Sequence, residues 1–426
     1  MKQIILQTIY KFLRICAKTY IKKHEPIVLW ITGSVGKTSG RMIVTQVLQK
    51  LSPEKRISTS PKNFNSELGL VFSVFEITEY TPGFSSLLKN IVIIIKKVLF
   101  GKNPYDIIFL EYGIDAPGDM KYLTSIIEPD YAMFTRLDLV HWEFFNTKEE
   151  IWIEKKILLE VAKKKIYLWE NDEYLEKIFS EFNQEKQFFP QVNNVKLSAN
   201  NSQILSSFVF DEKEISVNLF WIENLVYVAL GLQIFKDLWW DLTENTYKFS
   251  LQNQPGRFQT FSWIHKSLLI DSSYNAAPAS MTQMIENTYK LRDEVYPDRK
   301  VMLVLWDMRE LWNISKDRHE GLLDFVKHSD SVVTVWPEMK YLCESLKVNR
   351  YSGEINTFLK SNEAWKYVKS YLETSKDKYL ILFKWSQNTI FTEEALKEVL
   401  ENKSEASNLV RQSDDWIKKK NKFFKS

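Results

Sequence analysis

Apolar residues along this chain follow two rhythms. Short unbroken apolar runs, the pattern of strands buried on both faces, stand at 27–31, 107–110, 131–134, 166–168, 268–270, 301–305, 331–335 and 379–383. Stretches of helical period separate most of them. Strand and helix in alternation predict an α/β protein built on mainly parallel sheets. Residues 1–25 read as an amphipathic helix, with Ile5, Ile9, Phe12, Leu13, Cys16 and Tyr20 along one side. Lys2, Lys11, Arg14, Lys18, Lys22 and Lys23 give that helix a basic character. A second apolar, lysine-flanked stretch covers 87–100. It is either a buried helix over the core or, with 1–25, an interfacial element touching a membrane surface. The turn Asn253-Gln254-Pro255-Gly256-Arg257 breaks the alternation and predicts a domain boundary. The expected segments are a helix over 1–25, a central domain over 26–254, a C-terminal domain over 255–402 and a tail over 403–426. The lysine-rich end of that tail, from Lys418, is expected to fray.

At 426 residues the chain exceeds a single hydrophobic core and suits two or three domains. Lys+Arg 57 against Asp+Glu 54 leaves a net charge of +3, which makes no electrostatic case for a nucleic-acid partner. Two cysteines, Cys16 and Cys343, are too few for a disulfide framework or a cysteine zinc site and suit a reducing compartment. No apolar run reaches the roughly 18 residues of a membrane span, and the N-terminus lacks the pattern of a signal peptide. A cytoplasmic location follows as an expectation.

The segment Ile31-Thr32-Gly33-Ser34-Val35-Gly36-Lys37-Thr38-Ser39 stands between an expected strand and a helix expected over 37–51. Such a loop closes backbone amides around phosphate oxygens, offers the Lys37 ammonium to the terminal phosphates and presents the Thr38 hydroxyl to Mg²⁺. Nucleotide binding is therefore expected of Gly33, Ser34, Val35, Gly36, Lys37, Thr38 and Ser39.

Further segments follow in a fixed order. They are Asn63-Phe64-Asn65-Ser66-Glu67-Leu68-Gly69, Glu111-Tyr112-Gly113-Ile114-Asp115-Ala116-Pro117-Gly118-Asp119-Met120, Pro255-Gly256-Arg257-Phe258, the stretch from Asp271 through Tyr274 and Asn275 to Met281, Leu305-Trp306-Asp307-Met308-Arg309-Glu310-Leu311 and Lys384-Trp385-Ser386-Gln387. Together with the phosphate loop, this series resembles the ordered motifs of the Mur ligase family, nearest its MurF branch, over about residues 27–400. The resemblance implies a central phosphate-loop ATPase domain and a smaller Rossmann-like C-terminal domain. It implies ATP-dependent formation of an amide bond through an acyl phosphate, with a muramyl peptide, a dipeptide and ATP as small-molecule substrates. It also implies two Mg²⁺ sites and a carbamylated lysine.

Carried over by position, the resemblance makes Thr38 and Glu111 ligands of a first Mg²⁺. It makes His141 a ligand of a second, with Lys155 or its neighbour Lys156 as the carbamylated residue that supports it. Asn224 resembles an adenine contact, although Glu223 stands where a histidine is usual. Arg257 resembles a γ-phosphate contact and Asp271 a ribose contact, with Tyr274 and Asn275 on the same rim. Asn65, Lys384 and Ser386 fall on the substrate side. Alternative readings are another amide ligase of the same superfamily, of the polyglutamate or cyanophycin type, or an ATP-binding scaffold without turnover.

Two departures accompany the resemblance. The phosphate loop begins at residue 33, which leaves no room before it for the usual domain that holds a uridine diphosphate-sugar, so the acceptor is expected to be held differently or to lack the nucleotide. The chain also has 12 Gly and 14 Trp, where glycine normally makes up about 7% of residues. Family motifs call for glycine at Trp306, Trp312 and Trp385, and by extension at Trp30, Trp142, Trp221, Trp263 and Trp336. The coding DNA is expected to carry UGA at such codons, in a genetic code that reads UGA as glycine.

Overall fold

The computed structural model describes residues 2–423 apart from 60–66, 78–82, 103–104, 115, 138–146, 170–174, 177–178, 201–202, 240, 253, 263–266, 275, 310, 312–313, 336, 386–392, 394–395 and 398–399. Of residues 2–7, 67, 84, 148, 200, 362, 415, 422 and 423 it describes the backbone alone. Two compact units divide the chain. The first comprises Met1–Asn194, Val209–Ile215 and Ile222–Leu251, and the second Val195–Phe208, Ser216–Trp221 and Gln252–Ser426.

In the first unit, strands β1 (Ile27–Thr32), β2 (Ile57–Thr59), β3 (Ile107–Glu111), β4 (Tyr131–Phe134), β5 (Lys165–Leu168) and β6 (Glu185–Phe188) form one sheet in the order β2-β3-β1-β4-β5-β6. Every pairing in it is parallel. The central strands read as unbroken apolar runs because helices cover both faces. Those helices are α1 (Lys2–His24), α2 (Lys37–Leu51), α3 (Glu67–Val74), α4 (Phe84–Phe100), α5 (Asp119–Thr124), α6 (Lys148–Glu160) and α7 (Ile222–Leu238). From β1 the chain proceeds to β2 and β3 on one side and then to β4 on the other. The carboxyl end of β1 is thus a switch point, where open α/β sheets take their ligands. Helix α1 buries Leu13, Cys16, Ala17 and Tyr20, and its Tyr20 ring lies 4.9 Å from that of Phe75.

Four further strands, β7 (Lys196–Asn200), β8 (Gln203–Phe210), β9 (Lys213–Val217) and β10 (Thr246–Phe249), are ordered β10-β9-β8-β7. Side chains of β8 alternate between buried and open, so this sheet leaves no unbroken apolar run in the sequence.

The second unit holds β11 (Gln259–Ser262), β12 (Leu268–Ser272), β13 (Lys300–Trp306), β14 (Ser331–Val335), β15 (Glu354–Phe358) and β16 (Tyr379–Lys384), ordered β11-β12-β16-β13-β14-β15. Only β11 runs antiparallel to its neighbour; the remaining pairs are parallel. Alternate residues feed two cores. Ile270, Leu303, Leu305 and Leu382 pack with Met281 and Ile285 of α8 (Pro278–Val295). On the other face Leu269, Met302, Val304 and Phe383 pack with other buried residues, Trp365 and Val368 among them.

The chain end is anchored where fraying was expected. A last helix runs over Asp414–Phe423, and its Lys420 Nζ lies 2.9 Å from Glu393 Oε1, a carboxylate with no exposed surface. Arg411 grips the same carboxylate with Nε at 3.0 Å and Nη2 at 2.9 Å. Arg411→Ala would leave this buried charge half-compensated, and a loss of about 3 kcal/mol is expected in urea unfolding. A loss below about 1 kcal/mol would show that the pairing is incidental.

Candidate active site

The carboxyl end of β1 runs into the phosphate loop. Gly33 and Gly36 have φ values of 137° and 90°, where side chains are strained. A Cβ on Gly33 would collide with Thr135 Oγ1, and one on Gly36 with the Tyr227 hydroxyl. The Ser34 amide donates to Arg136 O at 2.8 Å, and Val35 bridges Arg136, so the loop is held against the segment that follows β4. Lys37, Thr38 and Ser39 form the first turn of α2, and the start of a helix favours an anion.

Two lysines converge on one carbonyl. Lys37 Nζ donates to Gly33 O at 2.8 Å and to Ser34 O at 3.2 Å, while Lys155 Nζ donates to Gly33 O at 2.6 Å. Lys155 is 1% exposed. Burial, and then the charge of Lys37, hold its ammonium well below the usual lysine range. Among the described residues no carboxylate pairs with it. Lys156, by contrast, faces outward and pairs with Glu181 at 3.1 Å and Glu160 at 3.4 Å, which raises its pKa. Of the adjacent lysines, Lys155 is therefore the one at the phosphate loop. Its neighbour Glu154 sets that position, because the Glu154 carboxylate accepts the Gly118 amide at 3.0 Å and the Met120 amide at 2.7 Å. This ties α6 to the start of α5.

Parallel register pairs Ile31 of β1 with Glu111, the last residue of β3. Glu111 Oε1 accepts the Thr38 hydroxyl at 2.8 Å, and Oε2 faces Arg41 Nε at 3.3 Å. Arg41 also donates to the Thr59 hydroxyl. A hydroxyl beside a carboxylate at the mouth of a phosphate loop is a donor set suited to Mg²⁺, a hard cation that takes oxygen ligands.

Glu223 and Asn224 are buried in the first turn of α7, one turn before the Tyr227 that closes on Gly36. Glu223 Oε1 accepts Arg136 Nη2 at 3.0 Å, and the same guanidinium lies 4.7 Å from the centre of the Trp169 ring. The glutamate that replaces the expected histidine thus has a cationic partner of its own.

In the second unit the register pairs Ser272 of β12 with Lys384 of β16, and Lys384 with Leu305 of β13. Lys384 Nζ donates to Ser272 O at 3.4 Å, and burial lowers its pKa to about 7. Asp271 accepts the Ser273 amide at 3.0 Å; its other oxygen is buried with no hydrogen-bond partner among the described residues, and burial raises its pKa to about 6. The Arg257 guanidinium lies 4.3 Å from the centre of the Tyr274 ring. Asp271, Tyr274, Arg257 and Lys384 therefore belong to the second unit, whereas the phosphate-loop residues, Glu111, Lys155 and Asn224 belong to the first.

Trp306 ends β13 and Trp385 follows β16, with ring centroids 5.0 Å apart. Both are buried, and neither indole N–H has an acceptor among the described residues. The same holds for the Trp30 N–H, although Trp30 lies within β1 and stacks on Tyr112 at 3.6 Å. Asn65, His141, Asn275 and Ser386 lie outside the described residues, as do Trp142, Trp263, Trp312 and Trp336.

Sequence reasoning missed Arg41, Arg136, Glu154 and Tyr227. Arg41 was open to inference, since it lies three residues after Thr38 on the same helix. The other three act through distant contacts that carry no local spacing signal.

Comparison with known proteins adds family and fold. The Mur ligase middle domain matches residues 31–230. The UDP-N-acetylmuramoyl-tripeptide--D-alanyl-D-alanine ligase of Bacillus subtilis (strain 168) is 23% identical over 402 residues, covering 91% of this chain and 78% of the relative. The enzyme of that name from Buchnera aphidicola is 22% identical over 384 residues, with 84% and 76% covered. Among solved structures, MurF ligase from Thermotoga maritima in complex with ADP superposes with a TM-score of 0.70 at 23% identity, covering 91% of this chain and 82% of that one. MurF from Acinetobacter baumannii gives 0.70 at 17% identity, covering 92% and 81%.

Proposed function

We propose that this chain, which belongs to the Mur ligase family, is an ATP-dependent, ADP-forming ligase that joins D-alanyl-D-alanine to a muramyl peptide. The observation that carries the reading is the convergence of Lys37 and Lys155 on the Gly33 carbonyl, beside the Thr38–Glu111 pair. The Lys37 ammonium inside a glycine loop makes a site for a polyanion, and Lys155, once carbamylated, would serve the metal that accompanies it. The names of the relatives supply the substrates, and they favour a dipeptide over glutamate as the amine.

In the reaction a carboxylate oxygen of the peptide bonds to the γ-phosphorus while the bond to the bridging oxygen of ADP breaks. The dipeptide amine then bonds to the acyl carbon, phosphate leaves, and the amine gives up a proton. Negative charge on phosphoryl oxygens is the main demand of the first step. Lys37 and the amides at the start of α2 meet that demand, and Arg41 holds Glu111 in place. Mg²⁺, when bound by Thr38 and Glu111, would spread the same charge further. Tyr227 and Thr135 fill the space beside Gly36 and Gly33 and so fix the course of the loop.

Lys155 is the residue of this site that we assign to carbamylation: its amine reaches the loop, is nearly free of solvent and is held towards the neutral, nucleophilic form. A carbamate there would turn one of two like charges into an anion able to support a metal. Bicarbonate is expected to stimulate turnover, and Lys155→Ala to lower it by roughly 10²-fold or more, with partial rescue by short carboxylic acids. Lys156→Ala should retain most activity. A Lys155→Ala enzyme of normal turnover, or one that no acid rescues while bicarbonate has no effect on the parent, would remove this assignment.

A further inference from the structure

We propose that α1 and α4 together form a docking face for the surface of an anionic membrane. The two helices carry nine lysines and arginines and no aspartate or glutamate. With a net charge of +3 for the whole chain, the remainder carries 3 − 9 = −6. Basic charge is thus gathered on these two elements.

Both helices belong to the first unit, and each has a buried and an open side. Helix α4 turns Leu87, Asn90 and Ile94 inward and leaves Leu88, Lys89, Val92, Lys96, Leu99 and Phe100 open. Val92 is 51% exposed, Leu99 61% and Phe100 81%. Helix α1 presents Phe12 and Ile15 among Lys11, Lys18, Lys22 and Lys23. Lys23 Nζ donates to Val98 O at 3.1 Å and to Leu99 O at 3.5 Å, which fastens the end of α1 to the end of α4.

Aliphatic side chains interleaved with lysines match the boundary between acyl chains and headgroups. Leu, Val and Phe sink, while each ammonium extends along its stem to a phosphate. A protein partner fits less well, because lysine is depleted at the centres of protein interfaces. Among the described residues no helix is long and apolar enough to cross a bilayer, so the contact is peripheral. It is independent of the ligase reading, since none of these residues belongs to the phosphate loop.

The test is sedimentation of the full chain with vesicles, without nucleotide. Vesicles of phosphatidylglycerol and phosphatidylcholine should carry the protein down, and vesicles of phosphatidylcholine alone should not. Lys89→Gln with Lys96→Gln should lower partitioning about 25-fold, five-fold per charge. Val92→Ser with Leu99→Ser and Phe100→Ser should abolish sedimentation, with thermal unfolding and ATP turnover in solution unchanged. Equal sedimentation with both vesicle types, none with either, or variants that partition like the parent would overturn the proposal. So would a lipid-free dimer that the triple serine variant dissolves, which would assign the face to a second copy of the chain.

Discussion

Lys37→Ala is expected to lower ATP turnover by roughly 10²- to 10³-fold, the usual effect of removing one preorganised charge from a transition state. Lys37 now donates to two carbonyls of its own loop, so its ammonium is held over the space that phosphates enter. Bond breaking at the γ-phosphorus places charge where that ammonium can reach it, and alanine leaves the amides of α2 to meet it alone. Fold should be retained, because the loop is also held by the Ser34–Arg136 bond and by Tyr227. Single-turnover ADP formation, compared at equal thermal stability, checks the effect. Turnover within about three-fold of the parent would mean that the loop does not serve phosphoryl transfer.

Glycine at 306, 312 and 385 is expected to raise both stability and turnover, the reverse of what truncating buried indoles normally does. Removing a large core side chain ordinarily costs about 3 to 5 kcal/mol. Here Trp306 and Trp385 each bury an N–H with no acceptor among the described residues, which costs about 1 to 3 kcal/mol per group, and overpacking at turns built for glycine costs about 1 to 3 kcal/mol more at each, so that together these offset the packing lost. Both stand at the carboxyl ends of strands, beside Asp307 and Lys384, where the family's motifs turn on glycine. Asp307 is itself committed, accepting the amides of Met339 at 2.8 Å and Glu338 at 3.1 Å, so the turn has little freedom to make way for an indole. Urea unfolding and ATP turnover of the triple glycine chain measure the change. UGA at the three codons would agree with it, while UGG at all three, or a triple variant that unfolds earlier, would sink the idea of a recoded glycine.

Much of the architecture was legible because buried parallel strands are apolar without interruption. All eight runs expected as strands are strands, and α2 spans Lys37–Leu51 as its pattern predicts. Strands such as β8 were not legible, since one open face mixes polar residues into the run. In the site, the resemblance to Mur ligases implied Thr38 and Glu111 as ligands of one metal, and the two side chains are in hydrogen-bond contact. Spacing could not separate Lys155 from Lys156; packing does, by burying one beside Gly33 and pairing the other with exposed glutamates. Nor could it supply Glu154, whose role depends on two amides more than thirty residues away. The anchoring of the chain end on Glu393 was hidden for the same reason, as a lysine-rich tail looks solvated until its buried partner is known.

The most direct test of acyl-phosphate ligation follows an isotope. The chain would be incubated with ATP, Mg²⁺, D-alanyl-D-alanine and a uridine diphosphate-linked muramyl tripeptide whose reacting carboxylate carries ¹⁸O, and the released phosphate examined by mass spectrometry. One ¹⁸O atom in phosphate for each amide formed, with no ADP produced when either organic substrate is omitted, is the expected result. Unlabelled phosphate, or ATP hydrolysis that proceeds without the dipeptide and yields no amide, would contradict the account.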